Sequence, residues 1–159
     1  MTTIQTLNKV VELAEKRRDE AMGNLGRMQR ELQIAQDQMD QLSAYAQESQ
    51  ARWQARSSVG VDAALLMHHR QFMQKIDHAM EFQRGVLGER QALIERSQEQ
   101  VFAAERDLAG LRKFTERKQQ AIAHRAERQD QKHTDEMALA IHLRQSLALA
   151  RSRNEGHAR

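Results

Sequence analysis

The sequence of 159 residues contains no cysteine and no proline, and it is poor in aromatic side chains. The absence of cysteine excludes disulfides and cysteine-based metal or redox chemistry, and it fits a reducing cytosol. With no proline and only 7 glycines, few positions can stop a helix. Aromatic residues make up 4% of the chain, which is too little bulk for the layered core of a globular domain.

Long apolar runs are also missing, and the charge is unevenly distributed. The longest run of large apolar residues covers 65–67, so no segment is predicted to span a bilayer, and the charged, amphipathic amino terminus is not typical of a secretory signal. Residues 31–51 contain acidic but no basic side chains, whereas 112–132 and 144–159 are rich in Arg and Lys. The basic residues alternate with Glu and Asp, which indicates solvated helix faces or a surface for an acidic protein rather than a nucleic-acid site.

What the first third of the chain does have is an apolar residue at alternating three- and four-residue steps, which is the pattern of a coiled-coil seam. Only Arg18 and Ser49 interrupt it. Trp53 is its last member and is predicted to close the coil. The seam positions are Ile4, Leu7, Val11, Ala14, Arg18, Ala21, Leu25, Met28, Leu32, Ala35, Met39, Leu42, Ala46, Ser49 and Trp53.

A turn and a second seam follow. Gly60 can adopt a left-handed conformation and Asp62 can cap the next helix. Beyond them the seven-residue repeat resumes, with a more polar second row. One row holds Leu66, Met73, Met80, Leu87, Ile94, Val101, Leu108, Thr115 and Ile122, and the other holds His69, Ile76, Gln83, Arg90, Ser97, Ala104 and Leu111.

The two seams predict an all-α protein, a long two-helix antiparallel coiled-coil hairpin with a C-terminal helical overhang. The best register places Leu42 opposite Met73 and Met28 opposite Leu87, while the next one, a heptad further, places Ile4 against Lys118. We expect one domain over 1–159. Helix one covers about 3–56, the turn about 57–61 and helix two about 62–125, and a flexible or helical segment covers about 126–159.

In this register, the positions that flank the seam on one side of helix two carry more apolar surface than a two-helix coil can bury. Tyr45 on helix one and Phe72 on helix two lie among them. A third helix or a second copy of the hairpin would cover such a ridge. Alternatively, the ridge is a docking face near the turn, where the tyrosine ring packs and its hydroxyl stays in water.

The sequence shows no pattern that indicates catalysis or a cofactor. No two of its 7 histidines have the i, i+3 or i, i+4 spacing that directs two ligands at one metal ion. No phosphate-binding glycine loop, HExxH motif or nucleophile elbow is present. A two-helix coil also lacks a concave site, so we expect no enzyme, no metal, no cofactor and no small-molecule substrate.

The chain resembles the FliJ family of the bacterial flagellar type III export apparatus. The resemblance lies in chain size, the opening LNKVVELAEKRRDEA, the L-x-x-Y of Leu42 to Tyr45, and the turn followed by F-x-x-x-I from Phe72. It implies a non-enzymatic cytoplasmic stalk, at the inner face of the membrane, that inserts into the export ATPase, promotes its assembly and activity, and links it to the export gate. Its implied partners are the hexameric export ATPase, the export gate membrane protein and export chaperones.

The resemblance also implies a set of gate-binding residues. These lie on one lateral face near the turn, and the chain departs from the family pattern beside them at Ser49 and Gln83. Two other hypotheses remain open, which are the equivalent stalk of a virulence-type injectisome and a purely structural, dimerising coiled coil. The implied gate-binding residues are Gln38, Leu42, Tyr45, Phe72, Ile76 and Ala79.

Overall fold

Two α-helices joined by a short turn make up the fold. The computed structural model describes residues 2–158, in which α1 spans Thr3–Ser57 (55 residues) and α2 spans Ala63–His157 (95 residues). No strand occurs among these residues. The two long helices pack against each other, so the predicted all-α helical hairpin is confirmed.

Several polar groups define where the helices begin and end. Asp62 caps α2 by accepting a hydrogen bond from the Leu65 amide at 2.8 Å, as the sequence predicts. Thr2 and Gln5 form a reciprocal capping box at the start of α1, which the sequence analysis did not recognise. At the end of α1 the hydroxyl groups of Ser57 and Ser58 donate to carbonyls of the last turn, so these acceptors keep partners.

Gly60 provides the backbone conformation that ends α1. Its φ of 97° lies in the left-handed region that L side chains rarely adopt, so the predicted role of this glycine is confirmed. Its amide donates to the Ser57 carbonyl at 3.1 Å, which closes the turn. The chain therefore reverses over a few residues without proline.

The core is the seam itself. All nine buried residues in the described part of the chain are predicted seam positions, and even the deepest, Leu108, keeps 2% of its surface exposed. Three of them are polar, which weakens the seam relative to a fully apolar one. The buried residues are Ala14, Ala35, Ile76, Gln83, Ile94, Ser97, Val101, Leu108 and Thr115.

By their contacts the described residues divide into two compact units. One consists of Glu12–Ala109, which holds the turn and the helical stretches on either side of it. The other consists of residues 2–11 and 110–158. The prediction of one domain over the whole chain stays a prediction.

Within the second unit, α2 continues to His157, although the sequence leaves residues 126–159 open between flexible and helical. No residue from 116 to 158 is buried or half-buried. Glycine and proline are absent between 111 and 155, and the segment is rich in Ala, Gln, Glu, Arg and Leu. Intrinsic helix propensity therefore accounts for the conformation there, since packing does not.

The cross-helix contacts within Glu12–Ala109 do not single out the predicted register. The edge-to-face contact of Tyr45 with Phe72 favours it, because Tyr45 is level with Arg70 there and the side chains of antiparallel helices lean toward each other. The stack of Trp53 on His69 instead joins two residues that are level one heptad further, and the contacts of Glu31 with Arg90 and of Gln38 with Gln83 lie within one residue of that second register. The choice of register therefore stays a prediction.

Two glycine substitutions should change stability in opposite directions. Gly60→Ala forces an alanine into a left-handed conformation and should destabilise the fold by about 1 kcal/mol. Gly85→Ala is the matched control, because Gly85 is an exposed helical residue with nothing within 4 Å of the added methyl group. It should stabilise the helix by roughly 0.5 to 1 kcal/mol. Urea unfolding followed by circular dichroism measures both, and shifts of equal sign would contradict the role assigned to Gly60.

Candidate functional site

An aromatic pair joins the two helices near the turn. The rings of Tyr45 and Phe72 meet edge to face, with centroids 5.7 Å apart and planes at 81°. Tyr45 remains 47% exposed and Phe72 36% exposed, so each ring packs on the other while offering its outer surface to solvent. The predicted apolar ridge of α2 is otherwise half-buried, at Leu65, Ala79, Val86 and Leu93.

The structure places five of the six sequence-predicted site residues where a partner can reach them. Gln38, Tyr45 and Phe72 are exposed, and Leu42 and Ala79 are half-buried beside them. These five residues are called the lateral face below. All of them lie within Glu12–Ala109.

Ile76 is the exception. It is only 5% exposed, because it occupies the seam between the helices, as its place in the second heptad row already indicated. Its side chain offers a partner little surface in the closed hairpin, and its part in gate binding stays a prediction.

A buried amide connects the seam to the lateral face. Gln83 is 7% exposed, and its Nε2 donates to the Ala35 carbonyl at 2.8 Å and to Gln38 Oε1 at 3.2 Å. Because a carbonyl only accepts, the Gln83 amide must point its NH₂ group across the seam, and the Gln38 atom that it meets must be the oxygen. The NH₂ group of Gln38 is then left to face the surface as a donor.

An ion pair extends this cross-helix contact away from the turn. Arg90 Nη1 lies 3.1 Å from Glu31 Oε2, and both side chains are about two-fifths exposed. Solvent screening at such exposure limits the pair to well under about 1 kcal/mol. Its value is geometric, because it adds to the polar contacts that Gln83 and, nearer the turn, His69 with Gln50 form between α1 and α2.

Sequence reasoning missed a pocket closer to the turn. The Trp53 ring is half-buried and stacks on His69, with centroids 4.2 Å apart and planes at 4°. This stack and the Tyr45–Phe72 pair line a surface pocket of about 270 Å³ together with Ser49, Arg52 and Arg56. The sequence signal for this pocket was His69 in the second seam row, because a polar ring at a seam position cannot pack as an aliphatic side chain does. We call this site the tip pocket.

The described residues contain neither a metal cluster nor a membrane span. Across residues 2–158 no three His, Asp or Glu side chains form a group that could hold a metal ion. In the same stretch neither helix contains a segment both long and apolar enough to cross a bilayer.

Comparison with known families gives a match over most of the chain. The model of the family described as "Flagellar FliJ protein" matches residues 3–147. The chain belongs to the FliJ family. No curated protein matches it significantly. Membership makes this FliJ protein a component of the flagellar export apparatus, as the resemblance implied, and places it in a family that is not enzymatic.

Replacing Gln83 with leucine should separate stability from register. Leucine removes a buried amide without stranding the Ala35 carbonyl, which lies inside α1 and keeps its helical hydrogen bond, so unfolding should be unchanged or harder by about 1 kcal/mol. Leucine makes no contact that depends on one register as the Gln83 amide does, so a second register about 10 Å away should become populated.

Spin labels at Gln29 and Gln91 report this slippage, because both residues are exposed and line one groove between the helices. The native chain should give one narrow distance distribution and the Gln83→Leu chain two. A control with Gln83→Asn, which keeps an amide on a shorter side chain, separates loss of polarity from loss of reach. A single unchanged distance in the leucine variant would refute a register role for Gln83.

Proposed function

We propose that this FliJ protein is a non-enzymatic stalk of the flagellar type III export apparatus. It inserts into the hexameric export ATPase, promotes the assembly and activity of the ring, and links the ring to the export gate membrane protein and to escort chaperones. It works on the cytoplasmic side, associated peripherally with the membrane at the flagellar base. Family membership supports a role in the export apparatus. The exposed surfaces of the two helices support separate sites for gate binding and ATPase binding.

The observation that carries the gate-binding role is the half-exposed Tyr45–Phe72 pair. Each helix contributes one ring, so the face exists only when the hairpin is closed. Tyrosine and other aromatic residues are enriched at the centres of protein interfaces because they bury much area at little entropic cost. Half-buried Leu42 and Ala79 extend the apolar area, and Gln38 adds a directed hydrogen-bond donor.

The carboxyl-terminal part of α2 supports the ATPase role. Its apolar side chains are more than half exposed, and it also carries Arg144, Arg151 and Arg153. Apolar residues exposed at this density on a helix without an internal partner indicate that another protein covers them. The exposed apolar residues are Met137, Leu139, Ile141, Leu143, Leu147 and Leu149.

Removing the two lateral-face rings should weaken binding to the export gate. Tyr45→Ala with Phe72→Ala deletes the largest exposed apolar area of the face, so affinity for the purified cytoplasmic part of the gate protein should fall at least about 10-fold. Helicity should persist, with unfolding easier by about 1 to 2 kcal/mol, because both rings are only partly buried. Calorimetry and circular dichroism measure the two effects.

Phe102→Ala is the matched control for this experiment. Phe102 is 61% exposed, and helical geometry places it roughly 120° around α2 from Phe72. This variant should bind the gate protein like the native chain. Unaltered binding by the double variant, or collapse of its helical signal, would contradict the assignment of Tyr45 and Phe72 to a docking face.

Truncation after Arg144 should impair the ATPase role and spare gate binding. Within residues 145–158 the deletion removes exposed residues only, including Leu147 and Leu149, so no buried contact of the described hairpin is lost. Stimulation of ATP hydrolysis and of ring assembly should fall at least about 5-fold, while gate affinity stays within about 2-fold. Hydrolysis assays and electron microscopy of the rings test this.

A full-length variant with Leu147→Ser and Leu149→Ser tests whether the apolar surface or mere length is responsible. It should reproduce most of the truncation effect. Equal loss of gate binding and ATPase stimulation would refute separate surfaces. A chain that sediments as a stable dimer and does not stimulate the ATPase would instead support the structural coiled-coil hypothesis.

A further inference from the structure

The geometry points to the tip pocket as a docking site for an acidic peptide segment that carries one aromatic or long apolar anchor side chain. The tip pocket overlaps the lateral face at Tyr45 and Phe72 and extends from there toward the turn. The inference therefore rests on the proposed function, and it specifies the chemistry of a partner segment that docks near the turn.

Four rings line the pocket. The Trp53–His69 stack forms one side, and the edge-to-face pair of Tyr45 and Phe72 forms the other. Ser49 lies between them on α1 and is too small to fill the space. The resulting volume of about 270 Å³ suits a single inserted side chain, and aromatic walls favour another ring through offset or edge contacts.

The rim of the pocket is cationic. Arg52 and Arg56 line it, and no carboxylate does. Arg52 donates from Nε to the Glu48 carbonyl at 3.5 Å and lies 3.7 Å from the Glu48 carboxylate, with both side chains about 70% exposed, and no ion pair of Arg56 is found within residues 2–158. An incoming carboxylate can displace the long, exposed Glu48 contact of Arg52, and each guanidinium group can hold a carboxylate through two parallel hydrogen bonds. Acidic residues on either side of the anchor match this arrangement.

Trp53 is the only tryptophan in the chain, so its fluorescence reports directly on the pocket. The probe is the blocked pentapeptide Glu-Glu-Phe-Glu-Glu, titrated into the full-length protein. Two matched peptides accompany it, one with glutamine in place of every glutamate and one with alanine in place of phenylalanine. The first peptide should change Trp53 emission saturably, and each of the others should bind at least about 5-fold more weakly.

Arg52→Gln with Arg56→Gln should weaken binding of the acidic peptide about 10-fold and leave the glutamine peptide unaffected. Arg27→Gln with Arg30→Gln removes the same charge from exposed positions of α1 outside the pocket and should have no effect.

Ser49 offers a steric test, because Ser49→Tyr fills the pocket and should abolish binding of all three peptides. Trp53 emission and melting of each variant verify that the fold is retained.

Several outcomes would overturn the proposal. These are a linear, non-saturating response, equal binding of the acidic and glutamine peptides, and indifference to the Arg52 and Arg56 changes. A dimer that dissociates in the Arg52/Arg56 variant would identify a second copy of the chain as the occupant. Trp53 changes caused by anionic phosphatidylglycerol vesicles but not by the peptide would identify a lipid surface.

The same protein samples separate this inference from the proposed function. If gate protein binds the native and Arg52/Arg56 variant chains equally and no peptide binds, the tip pocket is refuted while the stalk function stands. If the peptides bind as expected and neither gate protein nor ATPase is recognised, the pocket stands and the proposed function fails.

Discussion

Two facing helices supply the whole apolar seam within Glu12–Ala109. The small number of side chains that two helices can enclose governs the rest of the structure. A pair of helices encloses only the side chains that point directly at the partner, so flanking positions stay half-exposed however apolar they are. Stability is then spread over many small contacts, and none of the buried residues dominates. The same geometry leaves the rings of Tyr45 and Phe72 accessible, without a loop to present them.

The heptad periodicity predicted the features that depend on the seam, above all which residues are buried, and few other features. The buried residues are all seam positions, and Gly60 and Asp62 behave as their chemistry requires. Ile76 shows where the sequence is ambiguous, because a residue in the seam row also lies next to the lateral face, and only the structure shows how deeply it is buried. The direction of a polar seam side chain is equally invisible to a repeat pattern, so the contacts of Gln83 and the stack of His69 on Trp53 emerged only from the structure.

The extent of α2 illustrates the opposite limit. Residues 126–136 lack an apolar stripe, so periodicity gives no helix signal there, yet no residue in the segment stops a helix that has already formed. Extending a helix costs far less than nucleating one, and this segment only continues a helix that already packs on α1 earlier in the chain. A helical segment continued in this way has little stability of its own. A partner that covers its exposed leucines would therefore gain apolar burial without first having to unfold anything.

Register and recognition are coupled through one amide. Gln83 holds Gln38 with the oxygen inward, so the lateral face presents an N–H group there, and the tip pocket presents two guanidinium groups. A slip of one heptad would break the Gln83 contacts and separate Tyr45 from Phe72 in the same step. The seam thus specifies more than which residues are buried. By fixing the level at which the helices meet, it determines that the face is rich in donors and apolar area, which is a surface complementary to a partner that offers acceptors and an anchor side chain.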